Sequence, residues 1–232
     1  MKFLKKLFIF LILAVIVLIS IVTLSGYSVY KDKIEENPIS KLVSEKEAGE
    51  KYIKIDEVPK YYIDAVVAVE DHRFYSHGAV DYIAILRAIV RNITNKKMLE
   101  GGSTITQQVA NNLYFINEDS DSPLLRKIAE IFISNDLEKE YGKDKILEIY
   151  INSIYFGEGY YGIKEACNGY FDKEPIDMTL DEATMLAGIP NAPSVYNPVA
   201  NIDLAKDRQG KVISSMVEYG YLSQEEADNI KE

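Results

Sequence analysis

The first 30 residues are apolar except at their start, and the pattern of charged residues changes sharply after them. Three lysines precede a largely apolar run of 18 residues from Leu7 to Leu24, and the next charged residue is Lys31. As a helix this run extends about 27 Å, close to the thickness of the bilayer's hydrocarbon core. Residues 1–30 therefore predict one transmembrane signal-anchor with a cytoplasmic N-terminus. The alternative is a cleaved signal peptide, although "TLSGYS" only weakly resembles a cleavage site.

Residues 31–54 are charged and irregular in pattern, and they predict a stalk. From about residue 55 the apolar residues follow helical spacing. In "DYIAILRAIVRNI" they recur at intervals of three and four from Tyr82 to Ile93, which predicts an amphipathic helix opened by Asp81. Pro59 suits the first position of a helix over "KYYIDAVVAV".

Further helix starts are marked by capping residues. A hydroxyl followed three residues later by Glu or Gln is typical of a helix N-terminus, and Ser followed by Pro is another such signal. These pairs are Thr104 with Gln107, Thr179 with Glu182, Ser223 with Glu226, and Ser122 with Pro123. Because no convincing alternating strand occurs, the sequence predicts an all-α domain over residues 55–232.

Composition narrows the possible functions. The chain has 232 residues and a formal net charge of -10, which argues against a nucleic-acid partner and against adhesion to an anionic membrane by charge alone. Its single cysteine, Cys167, excludes an internal disulfide.

Glu70 is the first candidate for chemistry, because a run of valines and alanines ends in "EDHR". A carboxylate at a helix C-terminus among apolar residues should have a raised pKa, as a general base near neutral pH requires. The plain alternative is a surface carboxylate at a helix end. His72 and His77 lie five residues apart, which is not the spacing of a helical zinc site, and we expect no metal there.

Two further segments are candidates for binding. "EGGSTITQQ" offers Gly101 and Gly102 for a close backbone approach, and hydroxyls beside a helix N-terminus for a phosphate. A simple capped loop would explain the same residues. Glu130 lies within a helix, where it is either a surface partner of Arg126 or a second carboxylate facing Glu70.

These segments, in this order, resemble glycosyltransferase family 51, the peptidoglycan glycosyltransferases. "EDHRFYSHGAV" resembles the family's first motif, E-D-x-x-F-x-x-H-x-G, and "GGSTITQQVANN" resembles the second. Three later segments resemble the family's third, fourth and fifth motifs: "RKIAEIFISNDLE", "KILEIYINSIYFGEGYYGIKEAC" and "MTLDEATMLAGIPNAPSVYNP". The resemblance covers about residues 55–220.

The resemblance implies a lysozyme-like helical fold beside a membrane, extracytoplasmic and acting on lipid II and the growing glycan chain. It implies Glu70 as the catalytic base and Glu130 as a catalytic residue on the donor side. The other positions that it implies for substrate binding are Asp71, Phe74, His77, Gly102, Ser103, Thr104, Gln107, Gln108, Asn111, Arg126 and Lys127. It implies no obligatory cofactor, leaves a divalent cation (Mg²⁺ or Mn²⁺) at the pyrophosphate open, and suggests transpeptidases of wall synthesis as partners.

Two departures from the family pattern concern positive charge. Asn111 stands where the family usually has Lys, and the segment before Arg126 has Ser122 and acidic residues where an Arg is common. Loss of each charge-assisted contact should weaken donor binding by about 1–3 kcal/mol. Lys96 and Lys97 could compensate.

Three alternatives follow. A hydrolase that cleaves glycan strands would need an acid and an attacking water. A non-catalytic relative would bind lipid II or wall-synthesis proteins, which the missing cations favour. A transpeptidase is not expected: Ser28 and Lys31 fit S-x-x-K, but the motif abuts the membrane segment and no K-T-G follows.

Overall fold

The computed structural model describes residues 2–95, 102–116 and 122–231. Within these ranges the protein is all-α, as predicted, and the nearest approach to a sheet is one isolated bridge between Tyr155 and Tyr161. Lys96, Lys97, Glu100 and Gly101 lie outside the described residues. The helices are α1 (Lys2–Glu36), α2 (Ile39–Glu47), α3 (Lys60–Glu70), α4 (Tyr82–Asn95), α5 (Ile105–Tyr114), α6 (Pro123–Glu140), α7 (Lys143–Ser153), α8 (Ile163–Phe171), α9 (Leu180–Gly188), α10 (Pro193–Tyr196), α11 (Ile202–Glu218) and α12 (Gln224–Lys231).

The predicted helix starts are present. Thr104 Oγ1 accepts a hydrogen bond from the backbone N–H of Gln107, whose side chain accepts one from the N–H of Thr104. Thr179 with Glu182 and Ser223 with Glu226 make the same reciprocal contacts, and Ser122 caps α6 ahead of Pro123. Each contact satisfies an N–H that has no partner within the helix. One detail differs: Pro59 is the N-cap of α3, with extended backbone, instead of its first helical residue.

The core surrounds α7. Its residues from Ile146 to Ser153 are all buried, so this part of the helix is covered on every side. α5 packs against α6 and α7, while α3 packs against α9 and α11. α7 therefore packs directly on α5 and α6, two of the helices that carry candidate site residues.

Residues 31–54 differ from the predicted irregular stalk. α1 continues to Glu36, α2 follows, and Ile39, Val43 and Ile53 are buried in the same core as the rest of the domain. The Asn152 side chain fixes this segment on α7 by accepting from the N–H of Ile53 at 3.0 Å and donating to its carbonyl at 2.9 Å. The prediction failed because the apolar residues of this segment are scattered among charged ones and show no helical period, although they contribute to the core.

The N-terminal helix α1 is both a membrane-span candidate and a packing element. Its stretch from Phe3 to Glu36 is long and apolar enough to cross a membrane, and the most apolar 18 residues within it have a mean hydropathy of 3.3. Beyond the apolar run α1 lies along α6: a side chain at Gly26 would meet Ile128 at 2.5 Å, and the ring of Tyr27 lies 5.2 Å from that of Phe132. Because Gly26 has no side chain, the two helix backbones can approach closely.

The apolar face of α4 is exposed. Asp81 opens this helix as predicted, accepting from the N–H groups of Ile83 and Ala84 at 2.9 Å. However, Tyr82 is 78% exposed and Leu86 is 64% exposed. The amphipathic spacing predicted the helix correctly. Between residues 82 and 88, however, apolar side chains of this helix face outward instead of into the core.

Candidate functional site

A cavity of about 390 Å³ lies between α5 and the N-terminal part of α6. Its volume is within the range of small-molecule sites. The remaining wall comes from the segments that follow α7 and α9. Its lining residues are Ser103, Gln107, Gln108, Asn111, Asn112, Pro123, Arg126, Lys127, Glu130, Ile154, Tyr155, Pro190 and Pro193. Seven of the residues predicted to form the site therefore share this cavity: Ser103, Gln107, Gln108, Asn111, Arg126, Lys127 and Glu130.

Glu70 ends α3 just outside this wall. Its side chain is 12% exposed, and one carboxylate oxygen accepts a hydrogen bond of 2.8 Å from Gln108 Nε2. Burial raises the pKa of Glu70, whereas the Gln108 hydrogen bond and the charge of Arg208 oppose that rise. Gln108 also lines the cavity, so a single side chain links the buried carboxylate to it. A carboxylate with a raised pKa beside a cavity can take up a proton near neutral pH.

Arg208, on α11, is a site residue that sequence reasoning missed. Its Nη2 lies 3.8 Å from Glu70 Oε1, and its Nε donates to the carbonyl of Gly188 at 3.2 Å. A Cβ at Gly188 would lie 2.9 Å from Arg208 Cγ, so the close passage of this side chain requires glycine there. Arg208 follows Glu70 by more than a hundred residues and belongs to none of the recognised motifs. Only the packing of α11 on α3 brings the two together.

Glu130 lies on α6 and is buried. Its partner is Lys127, one turn earlier, whose Nζ also donates to Ser103 Oγ at 2.8 Å. Burial raises the pKa of Glu130, and the charges of Lys127 and Arg126 oppose the rise. Lys127, rather than Arg126, thus makes the ion pair, and Arg126 stays in the cavity wall. The result is a site lined by two cations and a buried acid.

Asp71, His77 and Thr104 lie outside the cavity wall and connect its supports. His77 Nε2 is 2.7 Å from Asp71 Oδ1, and the other Asp71 oxygen accepts from the backbone N–H of Ile105 at 3.1 Å. Thr104 Oγ1 donates to the carbonyl of Ala79 at 2.8 Å. These bonds fix the segment after Glu70 to the start of α5. They thereby fix the position of Glu70 relative to Gln108.

Phe74 and Gly102 are also separate from the cavity wall. Phe74 is completely buried, with Lys143 Nζ 4.4 Å above its ring centroid. A Cβ at Gly102 would lie 3.5 Å from Ile85, an ordinary contact distance. Phe74 is therefore a core residue, whereas the space at Gly102 does not itself require glycine.

Asp71, His77 and Asp81 place their ligand atoms within 4.8 Å of one another. Asp81, however, already binds Arg73 and caps α4. Asp71 likewise accepts from Ile105 and His77. These groups already have hydrogen-bond partners within the protein, and their arrangement is explained without a cation. His72 lies apart from them, stacked on the ring of Tyr219 at 4.1 Å.

A family model described as Transglycosylase matches residues 35–217. The chain belongs to the transglycosylase family. The family membership and the enzyme class predicted from the motifs are therefore confirmed. The match begins within α1, so the family's domain includes most of the segment that was predicted to be a stalk.

Several relatives are similar over most of this chain. Penicillin-binding protein 1F of Bacillus subtilis is 41% identical over 96% of the chain, and penicillin-binding protein 1A of Neisseria flavescens is 44% identical over 78%. The chain spans 33% and 22% of the length of these two proteins. A putative transglycosylase of Cupriavidus necator is 45% identical over 76% of this chain and 75% of its own length.

Proposed function

We propose that this protein is a peptidoglycan glycosyltransferase that polymerises lipid II into glycan strands. The observation that carries the proposal is the buried Glu70 carboxylate, joined by Gln108 to a cavity lined by Arg126 and Lys127. The raised pKa of Glu70 suits a base, and two cations suit a diphosphate. Family membership supports the same class of reaction.

In the proposed reaction the 4-hydroxyl of the acceptor sugar attacks the anomeric carbon of the donor. The new C–O bond forms as the bond from that carbon to the diphosphate oxygen breaks, with inversion, and undecaprenyl pyrophosphate leaves with the electron pair. Glu70 takes the hydroxyl proton. Arg126 and Lys127 would stabilise the negative charge that develops on the leaving group, and Glu130 would hold Lys127 in place.

The competing activity is cleavage of glycan strands. Incubating the full chain, in detergent, with lipid II and separately with finished peptidoglycan distinguishes the two. Polymer from lipid II supports the proposal, and soluble muropeptides from peptidoglycan would contradict it. Within this proposal transpeptidases are the partners that would crosslink the product.

Asn111 supports a second candidate function, a relative that binds lipid II without polymerising it efficiently. It lines the cavity where the family pattern predicts a lysine. We expect Asn111→Lys to bind donor about tenfold more tightly and to polymerise at an equal or higher rate, because it adds a cation beside Arg126. Initial rates across lipid II concentrations measure both. A lower rate at every concentration would show that the missing charge does not limit this enzyme.

The apolar N-terminal helix fits a membrane-anchored protein. We further propose that the domain is extracytoplasmic and that α4 lies against the bilayer surface, because Ile83 and Leu86 are exposed. With only residues 1–24 removed, so that the part of α1 that packs on α6 stays in place, binding to neutral phospholipid vesicles should fall about tenfold when both residues become Asp. Ile176→Asp, at another exposed apolar residue, is the matched control. Equal vesicle binding by all variants would contradict the placement of α4.

A further inference from the structure

A second, larger cavity of about 1000 Å³ adjoins the first one and takes no part in the proposed bond exchange. Its walls come from α2, the turn after α2, the end of α5, the end of α7 and the start of α8. Asn112 lines both cavities, so the two cavities meet at this residue.

The shared wall carries a hydrogen-bond donor with no acceptor. Asn112 Nδ2 is buried and has no partner within the part of the chain that the structure describes. Buried polar atoms in proteins are nearly always paired, so an unpaired one calls for an explanation. At a wall between two cavities, the explanation that fits is a ligand that supplies the acceptor.

Lys46, from α2, is a second donor of this kind. It lines the cavity and is partly buried, and the hydrogen bonds and ion pairs of the described residues include none to its ammonium. By contrast, Lys51 in the same wall is paired with Glu165. Burial lowers the pKa of Lys46, as expected for an ammonium group without a nearby counter-charge.

The acids in this wall restrict what the cavity can attract. Glu165 is occupied by Lys51 and by the backbone N–H of Tyr161, at 2.7 Å from the latter. Glu45 and Glu50 are exposed at the rim. Because the rim is acidic, free anions gain little by approaching. A carboxylate is favoured only when it belongs to a molecule already held in the neighbouring cavity.

We propose that the second cavity binds the peptide stem of the donor chain, with Lys46 pairing with a stem carboxylate and Asn112 donating to a stem carbonyl. This inference rests on the proposed function, since the donor sugar in the first cavity is what delivers the stem. A peptide carbonyl and a carboxylate match the chemistry of the two unpartnered donors.

Two soluble probes test this proposal with the full-length protein in detergent micelles. One is a muramyl dipeptide with a free carboxylate, and the other is the same molecule with that carboxylate converted to a carboxamide. Titration calorimetry should show about tenfold tighter binding of the carboxylate form. In Lys46→Gln the preference should disappear, whereas Lys41→Gln, an exposed lysine on the same helix, should keep it.

Equal affinity of the two probes for the wild type, or a preference that survives in Lys46→Gln, would overturn the proposal. If Lys46→Gln unfolds, the Nζ resonance of Lys46 in the wild type decides: it should shift with the carboxylate probe and stay unchanged with the carboxamide. Polymerisation is assayed separately. A preference for the carboxylate probe without polymerisation of lipid II would contradict the proposed reaction but support the peptide site. Polymerisation without that preference would support the reaction but contradict the peptide site.

Discussion

Glu70→Gln is expected to reduce lipid II polymerisation by at least about a hundredfold while leaving the fold intact. The amide cannot take the acceptor's proton, yet it can still accept the hydrogen bond from Gln108. Thermal unfolding at neutral pH should occur at the same or a higher temperature. Because burial raises the pKa of Glu70, the wild-type protein loses folding stability as pH rises through that pKa and the buried carboxylate ionises. Glutamine does not ionise, so the variant avoids this loss.

The matched control is Asp64→Asn on the same helix, a carboxylate that pairs with Lys60 away from the cavity. It should keep nearly the wild-type rate. Lipid II polymerisation is measured as glycan chains separated by gel electrophoresis. Wild-type activity in Glu70→Gln would exclude this carboxylate as the base, and a loss equal in both variants would point to a general effect of removing charge from α3.

Arg208→Gln is expected to move the acidic limb of the rate–pH profile to higher pH and to lower the rate about tenfold on that limb. The groups that act on Glu70 are Gln108 from α5, Asp71 beside it and Arg208 from α11. Gln108 and Arg208 favour the carboxylate, whereas burial and Asp71 favour the acid. Removing the cation raises the pKa of Glu70 further, so a higher pH is needed to generate the base.

Two measurements separate this effect from a simple loss of structure. The carboxyl ¹³C resonance of Glu70 should titrate at higher pH in Arg208→Gln than in the wild type, whether or not the protein polymerises lipid II. Arg208→Lys should restore part of the profile, and Lys206→Gln, an exposed cation on the same helix, should leave it unchanged. An acidic limb that stays in place in Arg208→Gln would show that this arginine does not tune Glu70.

Local signals in the sequence were sufficient for the capped helices α5, α6, α9 and α12 and for one wall of the site. Capping pairs such as Thr104 with Gln107 act within four residues, so their structure follows from sequence spacing alone. Ser103, Gln107 and Gln108 lie together because they belong to one capped helix start, and Lys127 and Glu130 because they lie on one turn of α6.

Tertiary contacts account for what spacing could not predict. Arg208 meets Glu70 only because α11 packs on α3 over a side-chain-free Gly188. The predicted stalk is part of the core because Asn152, far along the chain, hydrogen-bonds Ile53. The apolar face of α4 was predicted correctly, but periodicity alone does not show whether such a face packs against the protein or is exposed.

The unbroken course of α1 from its apolar run onto α6 has a geometric consequence. The apolar turns and the turn seated on Ile128 belong to one helix, so the rotation of one relative to the other is fixed by the number of residues between them. One residue inserted between Leu24 and Gly26 would rotate the membrane portion by about 100° and lengthen it by about 1.5 Å. In the proposed membrane-anchored arrangement, the rotation of the domain about the membrane normal is therefore set by the number of residues in a single helix.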